Sequence, residues 1–295
     1  MNRMAALQFD KRLTPARVDL ADERLRGRVA AERYSAGRAV RVVAASAPLR
    51  REPRPDAPLD TEALMGEAVI VYGDDEGWAW GQLQSDGYVG YLPSEALGEA
   101  PEPTHRVTAL RTFLYPGPHL ETPPSGFVGL GATVSVERMD GDYARLATGG
   151  FIFAAHLAPV GAQEPDFVSV AERLVGTPYL WGGKTTLGID CSGLIQLSLG
   201  AAGILGPRDT DMQQAVLGEP VEIKADLAGL LRGDLVFWKG HMGVMLDGER
   251  LLHANAHHMA VAVEPLRAAE ARNRAKEFAP IVSIKRLPAL STKEL

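Results

Sequence analysis

Cys191 is the only cysteine among 295 residues, and it stands in Asp190-Cys-Ser-Gly193 at the head of the apolar run Leu194-Ile-Gln-Leu-Ser-Leu. His241 follows fifty residues later in Gly-His-Met-Gly-Val, and His253 comes twelve after that. A thiol and an imidazole are the parts of a nucleophile and its base. In that chemistry Cys191 attacks a carbonyl carbon. His241 takes the thiol proton and passes it to the leaving amine, and His253 holds the His241 ring in one tautomer. A lone cysteine is otherwise a small buried core residue, so the two downstream histidines carry the catalytic reading. A zinc site made of the same three residues lacks a fourth ligand and any Cys-x-x-Cys spacing, so no metal and no other cofactor is expected.

Such chemistry needs particular elements to hold it. The run 194–199 is apolar almost all round and reads as a buried helix that begins at the cysteine. Free N–H groups and partial positive charge at a helix N-terminus favour an anion there. That predicts a lowered thiol pKa and a place for an oxyanion. Val168–Val175 has apolar residues at helical spacing and reads as an earlier helix. The glycine-rich stretch Tyr179-Leu-Trp-Gly-Gly joins the two, its aromatics Tyr179 and Trp181 either lining a site or filling core. Residues 233–238, 241–246 and 250–254 read as three strands, with Asp247-Gly248 at the second turn. Successive side chains on a strand alternate faces, so His241 and His253 share a face only if the loop between them has an odd length. A three-residue loop centred on Asp247 sets them directly opposite. One centred on Gly248 makes them diagonal neighbours, and a two-residue turn parts them. The odd-length loop is expected. His257 and His258 read as a solvated pair in a loop.

The rest of the chain divides at two acidic, proline-bearing stretches, 98–104 and 161–166. Four segments result: an N-terminal extension at 1–37, then 38–99, 103–160 and 164–288. Residues 41–78 repeat at an offset of 65: Arg41-Val-Val-Ala with Arg106-Val-Thr-Ala, Met65-Gly-Glu-Ala-Val-Ile-Val with Leu130-Gly-Ala-Thr-Val-Ser-Val, Trp78 with Tyr143. Both copies alternate apolar and polar residues in short runs cut by Gly, Asp and Pro, the pattern of small all-β barrels. Within the extension, Asp19 to Tyr34 reads as one short amphipathic helix, with Leu20, Leu25 and Val29 on or near one face.

Hydrophobic residues make up 46% and charged residues 23%, the proportions of a globular protein, and the net charge is −6. No block of Lys or Arg is present, which argues against nucleic acid and anionic membrane as partners. Charge interrupts the first ten residues before a signal-peptide core could form. No run approaches the roughly 20 apolar residues of a membrane span. The expected location is the cytoplasm. One cysteine cannot close an intrachain disulfide, so the fold must rest on its apolar cores. Oligomeric state is not readable.

Several motifs carry a resemblance. Gly176-Thr-Pro-Tyr-Leu-Trp-Gly-Gly, Asp190-Cys-Ser-Gly-Leu, Arg232-Gly-Asp-Leu-Val-Phe and Gly240-His-Met-Gly-Val resemble the NlpC family of cell-wall cysteine peptidases over about 165–285. Gly-Glu-x-Val-x-Val, Gly-Trp and Gly-Tyr-x-Gly-Tyr-Leu resemble a bacterial Src-homology-3-like domain over 40–99, and 104–160 shares less of that pattern. The resemblance implies an α+β fold: a papain-like domain of helices packed on an antiparallel sheet, behind two small barrels. It implies hydrolysis of the bond between D-γ-glutamate and a diamino acid in peptidoglycan stem peptides. The whole layout is similar to enzymes that recycle muropeptides, whose substrate is L-Ala-γ-D-Glu-diamino acid with a free N-terminal alanine. By motif position it assigns Glu62 and Tyr88 to the alanine amine, Tyr179, Asp190 and Ser192 to the substrate lining, and Asp209 and Thr210 to the D-glutamyl part. The third stem residue, diaminopimelate or lysine, stays open. So do two other functions: an amidase or acyltransferase working through a Cys191 thioester, and a non-catalytic peptidoglycan-binding protein.

Overall fold

A computed structural model describes residues 9–275 and 280–288. The chain forms two compact units, Met1–Val160 and Gly161–Leu295.

In the first unit, residues 38–98 form a seven-stranded sheet ordered Leu59–Leu64, Ser46–Arg50, Val89–Pro93, Trp78–Leu83, Ala68–Asp75, Arg38–Val42, Leu97–Gly98. Alternate residues point inward, as strand geometry demands. Val40, Val42, Leu49, Val69, Leu83 and Leu92 fill the core. Residues 105–159 repeat the plan in shorter strands grouped in three small sheets, with Val107, Val128, Val134, Leu146 and Ile152 inside. The offset of 65 survives in the packing: Val42 and Val107, Val69 and Val134, Ala79 and Ala144 are all buried. In each copy the last strand returns to the first, pairing Leu97 with Val42 and Leu157 with Val107.

The N-terminal extension differs from expectation. Among its described residues there is no α-helix; Leu20–Asp22 and Arg33–Ser35 are short parallel strands flanking a 3-10 turn at Glu23–Leu25. Tertiary contacts override the helical periodicity. Leu20 packs with Tyr72 and Trp80 of the first barrel, and buried Asp22 accepts the Tyr72 hydroxyl at 2.7 Å. The Arg17 guanidinium stacks 4.5 Å over the Trp80 ring. An extended strand can reach all of these, whereas one face of a helix cannot.

Among its described residues the second unit has four helices: α1 (Phe167–Arg173), α2 (Cys191–Ala201), α3 (Thr210–Val216) and α4 (Leu266–Ala275). Its six-stranded sheet runs Glu219–Pro220, Ser283–Arg286, Leu235–Trp238, His241–Met245, Arg250–Asn255, Ala260–Pro265, with every neighbouring pair antiparallel. Nine of the eleven residues of α2 are buried, which explains its lack of a polar face. It packs on α1 and on the strands His241–Met245 and Arg250–Asn255. Leu266 and Ala269 of α4 join Trp238, Met245 and Leu251 in a core cluster on the sheet. No helix among the described residues is long and apolar enough to cross a membrane.

Candidate active site

Asp190 caps α2, its Oδ1 accepting the Gly193 N–H at 2.7 Å, so Cys191 is the first helical residue. Gly193 is needed for close approach: a Cβ there would lie 2.3 Å from the Gly183 carbonyl oxygen. The glycine loop therefore presses directly on the helix start. The sulfur is nearly enclosed, with Cys191 7% exposed. Thr210 Oγ1 of α3 lies 3.7 Å from it, and the Met242 backbone N–H, next in sequence to His241, faces it.

The two histidines meet as the odd-length loop requires. Val244 pairs with Leu252 and Met245 with Leu251. The Leu246 N–H bonds the Arg250 carbonyl at 2.8 Å, leaving Asp247, Gly248 and Glu249 as a three-residue loop centred on Gly248. Asp247 Oδ1 holds that loop by accepting the Glu249 and Arg250 N–H groups at 2.9 and 2.8 Å. The rings are diagonal neighbours, with His241 Nε2 and His253 Nδ1 2.8 Å apart. Gly243 makes the approach possible, because a Cβ on it would sit 2.9 Å from His253 Cβ. The Trp238 ring, opposite His241 in the pairing, packs against it at 5.6 Å.

His253 is 1% exposed, and its other nitrogen, Nε2, lies 2.8 Å from Glu264 Oε1. Arg272 of α4 in turn donates to both Glu264 oxygens, at 2.7 Å to Oε2. Neither residue stands out in the sequence. The signal that could have found Glu264 is its place on the strand after His253, two residues beyond Ala262, the direct partner of His253, and so diagonal to His253 on one face. The ligand atoms of His253, His258 and Glu264 lie within 4.8 Å of one another, but the Arg272 guanidinium on Glu264 repels a cation. Hydrogen bonds link Arg272, Glu264, His253 and His241 in a relay, and His258 bonds Asn255 instead.

The remaining site candidates separate. Tyr179 is half-buried, and burial, then the charges of Cys191 and Asp190, push its hydroxyl pKa upward. Trp181 is 71% exposed, so it is not a core aromatic. Asp190 and Ser192, assigned to the substrate lining, flank Cys191 and are buried in a hydrogen-bond network. Arg208, which the sequence reading passed over, donates to Asp190 Oδ1 and Oδ2 at 3.0 and 2.7 Å and to Ser192 Oγ at 2.8 Å. Asp190 also accepts the Gly182 N–H at 2.9 Å and the Ser192 hydroxyl at 3.2 Å, which occupies both its oxygens. Asp209 takes the N-cap position of α3, beside Thr210. In the first unit, Glu62 is half-buried, with Ser46 Oγ 3.5 Å from its Oε1. Tyr88 is 4% exposed and packs in the first barrel's core cluster.

The electrostatics reverse the expected thiol shift. Burial, then the Asp190 carboxylate, pushes Cys191 up to about 11, against the opposing pull of the Thr210 hydroxyl, the Met242 N–H and Arg208. Burial, then the neighbouring His253 and Arg272, lowers His241 to about 3. The resting pair is a neutral thiol and a neutral imidazole, and an unprotonated ring is what a base requires. The shifts also bear on stability. The unfolded chain titrates His241 near 6.5 and the folded one near 3. In that window the unfolded state binds the extra proton, so stability is full above pH 6.5 and falls as the pH drops toward 3. His253, lowered by burial, adds the same sign. Glu264 does too: burial alone would raise it, but its Arg272 and His253 bonds outweigh this and hold it well below the usual carboxylate range. Calorimetry of the second unit should show Tm falling by several degrees between pH 7 and pH 4.5 (on the order of 3 °C per kcal/mol lost). An unchanged Tm would contradict the buried, neutral histidines.

Residues 176–278 match the NlpC/P60 family, and residues 49–97 match the bacterial dipeptidyl-peptidase Sh3 domain. Dipeptidyl-peptidase 6 of Lysinibacillus sphaericus is 36% identical over 114 residues, 38% of this chain and 40% of that protein. A gamma-D-glutamyl-L-lysine dipeptidyl-peptidase of Bacillus subtilis is 26% identical over 226 residues, covering 68% of this chain and 73% of the relative. In fold, the chain is similar to the crystal structure of an NlpC/P60 family protein from Bacillus cereus, with a TM-score of 0.71 at 20% identity, over 85% of this chain and all of that one. With its cysteine at the head of a buried helix on an antiparallel sheet, the second unit carries a papain-like peptidase domain of the NlpC/P60 family, and a bacterial Src-homology-3-like domain precedes it in the chain.

Proposed function

We propose that the chain is a cysteine endopeptidase that hydrolyses the γ-D-glutamyl–diamino acid bond of peptidoglycan stem peptides. The observation that carries this reading is Cys191 at the first position of buried α2, its sulfur beside the Met242 N–H, with the His241–His253 pair on the strands that α2 packs against. As the sulfur attacks the γ-glutamyl carbonyl, His241 takes the thiol proton. Backbone N–H groups at the head of α2 receive the oxyanion. His241 then gives the proton to the departing amine of the diamino acid, and water cleaves the thioester to release the dipeptide. The name of the Bacillus subtilis relative supports the bond chosen, and its dipeptidyl-peptidase activity supports a substrate with a free N-terminus. A stem peptide has a free alanine amine only after its amide to the glycan has been cut. The reading therefore places the reaction on released peptides, which suits recycling in the cytoplasm.

The experiment supplies purified protein with L-Ala-γ-D-Glu-diaminopimelate, its lysine counterpart, and N-acetylated versions of each. Release of L-Ala-γ-D-Glu is expected from the free peptides, with rates roughly a hundredfold or more lower after acetylation. Cleavage of acetylated peptides alone would overturn the free-amine requirement. Cleavage of none would overturn the bond assignment.

A further inference from the structure

A neutral imidazole has one N–H and one lone pair, and which nitrogen holds the proton is set by its partners. His253 has a partner at each nitrogen: Glu264 Oε1 at 2.8 Å from Nε2, and His241 Nε2 at 2.8 Å from Nδ1. An ionised carboxylate only accepts. His253 must then carry its proton on Nε2 and offer a bare Nδ1. A bare Nδ1 accepts, so His241 carries its own proton on Nε2. That leaves His241 Nδ1 as the free lone pair, the state a base needs. One carboxylate thus sets the protons on two rings.

The relay works only while Glu264 stays ionised. A neutral carboxyl could turn its O–H toward His253 Nε2 and invert every donor in the chain. Burial favours that neutral form. Arg272 opposes it with donors to both oxygens. Arg272 sits on α4, which makes a second contact with the same part of the sheet: Glu270 Oε2 accepts the Trp238 indole N–H at 2.7 Å, and the Trp238 ring lies against His241. His258 is the other titratable group close to Glu264, and its Nδ1 is on Asn255 Oδ1 at 3.0 Å.

We propose that Glu264, clamped by Arg272, is a positioning residue that fixes the tautomers of His253 and His241 so that His241 Nδ1 is free to take the Cys191 proton. This rests on the cysteine-peptidase reading, and the arms of the experiment keep the two apart. The first arm is the wild-type protein with 15N-labelled histidine, observed by NMR at neutral pH. His253 and His241 should both show protonated Nε2 and bare Nδ1; a His253 proton on Nδ1 overturns the proposal, and needs no variant to do so. The second arm is Glu264→Gln. Its amide oxygen pairs with Arg272 and its NH2 turns to His253 Nε2, moving the ring proton to Nδ1. The expected result is kcat on L-Ala-γ-D-Glu-diaminopimelate lower by roughly ten- to a hundredfold, with KM within about twofold. A folded Glu264→Gln protein with wild-type kcat overturns the proposal. The third arm is Cys191→Ala. An inactive Cys191→Ala protein beside a fully active Glu264→Gln protein sinks the relay and leaves the peptidase standing. An active Cys191→Ala protein sinks both.

Discussion

Cys191→Ala should lower kcat on the tripeptide by about ten thousandfold or more, while peptide binding changes little. The side chain removed is small and its surroundings are held by other groups. Asp190 still caps the helix through the Gly193 N–H, and Thr210 stays on α3. The loss therefore belongs to bond formation. His241→Ala should cost nearly as much, because a neutral thiol raised to about 11 then loses the imidazole that takes its proton. The double variant should be no worse than either single one, since nucleophile and base act as a unit. Single-turnover rates with each variant, beside binding of the uncut peptide, check this. A Cys191→Ala protein that keeps a tenth of the wild-type rate would remove the sulfur from the mechanism. Losses that multiply in the double variant would mean that the sulfur and the ring work independently.

The parts of this site that were legible in the sequence are those governed by local rules. The apolar run after Asp190-Cys-Ser-Gly193 marked a buried helix beginning at the cysteine, and α2 begins there. Strand parity made an odd-length loop a condition for the His241–His253 contact, and the loop has three residues, Asp247–Glu249. What stayed hidden depends on the fold as a whole. Glu264 is an ordinary carboxylate in the sequence until the pairing of Ala262 with His253 places it diagonally beside that ring. The helix N-terminus argued for a lowered thiol pKa, but burial depth, which sets the opposite direction, is a property of packing. The extension before the first barrel showed a helical period, yet its backbone is drawn out by contacts to Tyr72 and Trp80 that lie some fifty residues away. Asp190 and Ser192 were legible as important; their partner was not. Arginine is rarely fully buried, and Arg208 drew no notice beside Asp209 and Thr210.

That partner yields a large expected change in stability. Arg208 is 1% exposed, and its guanidinium holds Asp190, Ser192 and the Gly183 carbonyl together, the last at 3.3 Å. Those groups are the cap of α2, its first turn and the glycine loop. Arg208→Met removes the counter-charge and leaves the buried Asp190 carboxylate with only the Gly182 and Gly193 N–H groups and the Ser192 hydroxyl. Breaking one side of a buried ion pair costs roughly 3–5 kcal/mol, because the remaining charge cannot recover its water. For a unit of this size that corresponds to a Tm lower by about 10 °C or more. Arg208→Lys should recover little, since one ammonium cannot span the two Asp190 oxygens and the Gly183 carbonyl together. Adding Asp190→Asn to Arg208→Met should recover part of the loss: the amide oxygen still caps Gly193 N–H, and no buried charge is left. Calorimetry of the four proteins separates charge from shape. If the double variant melts below Arg208→Met, the side chain matters for the space it fills, and the ion pair is not what holds the cysteine's helix against its loop.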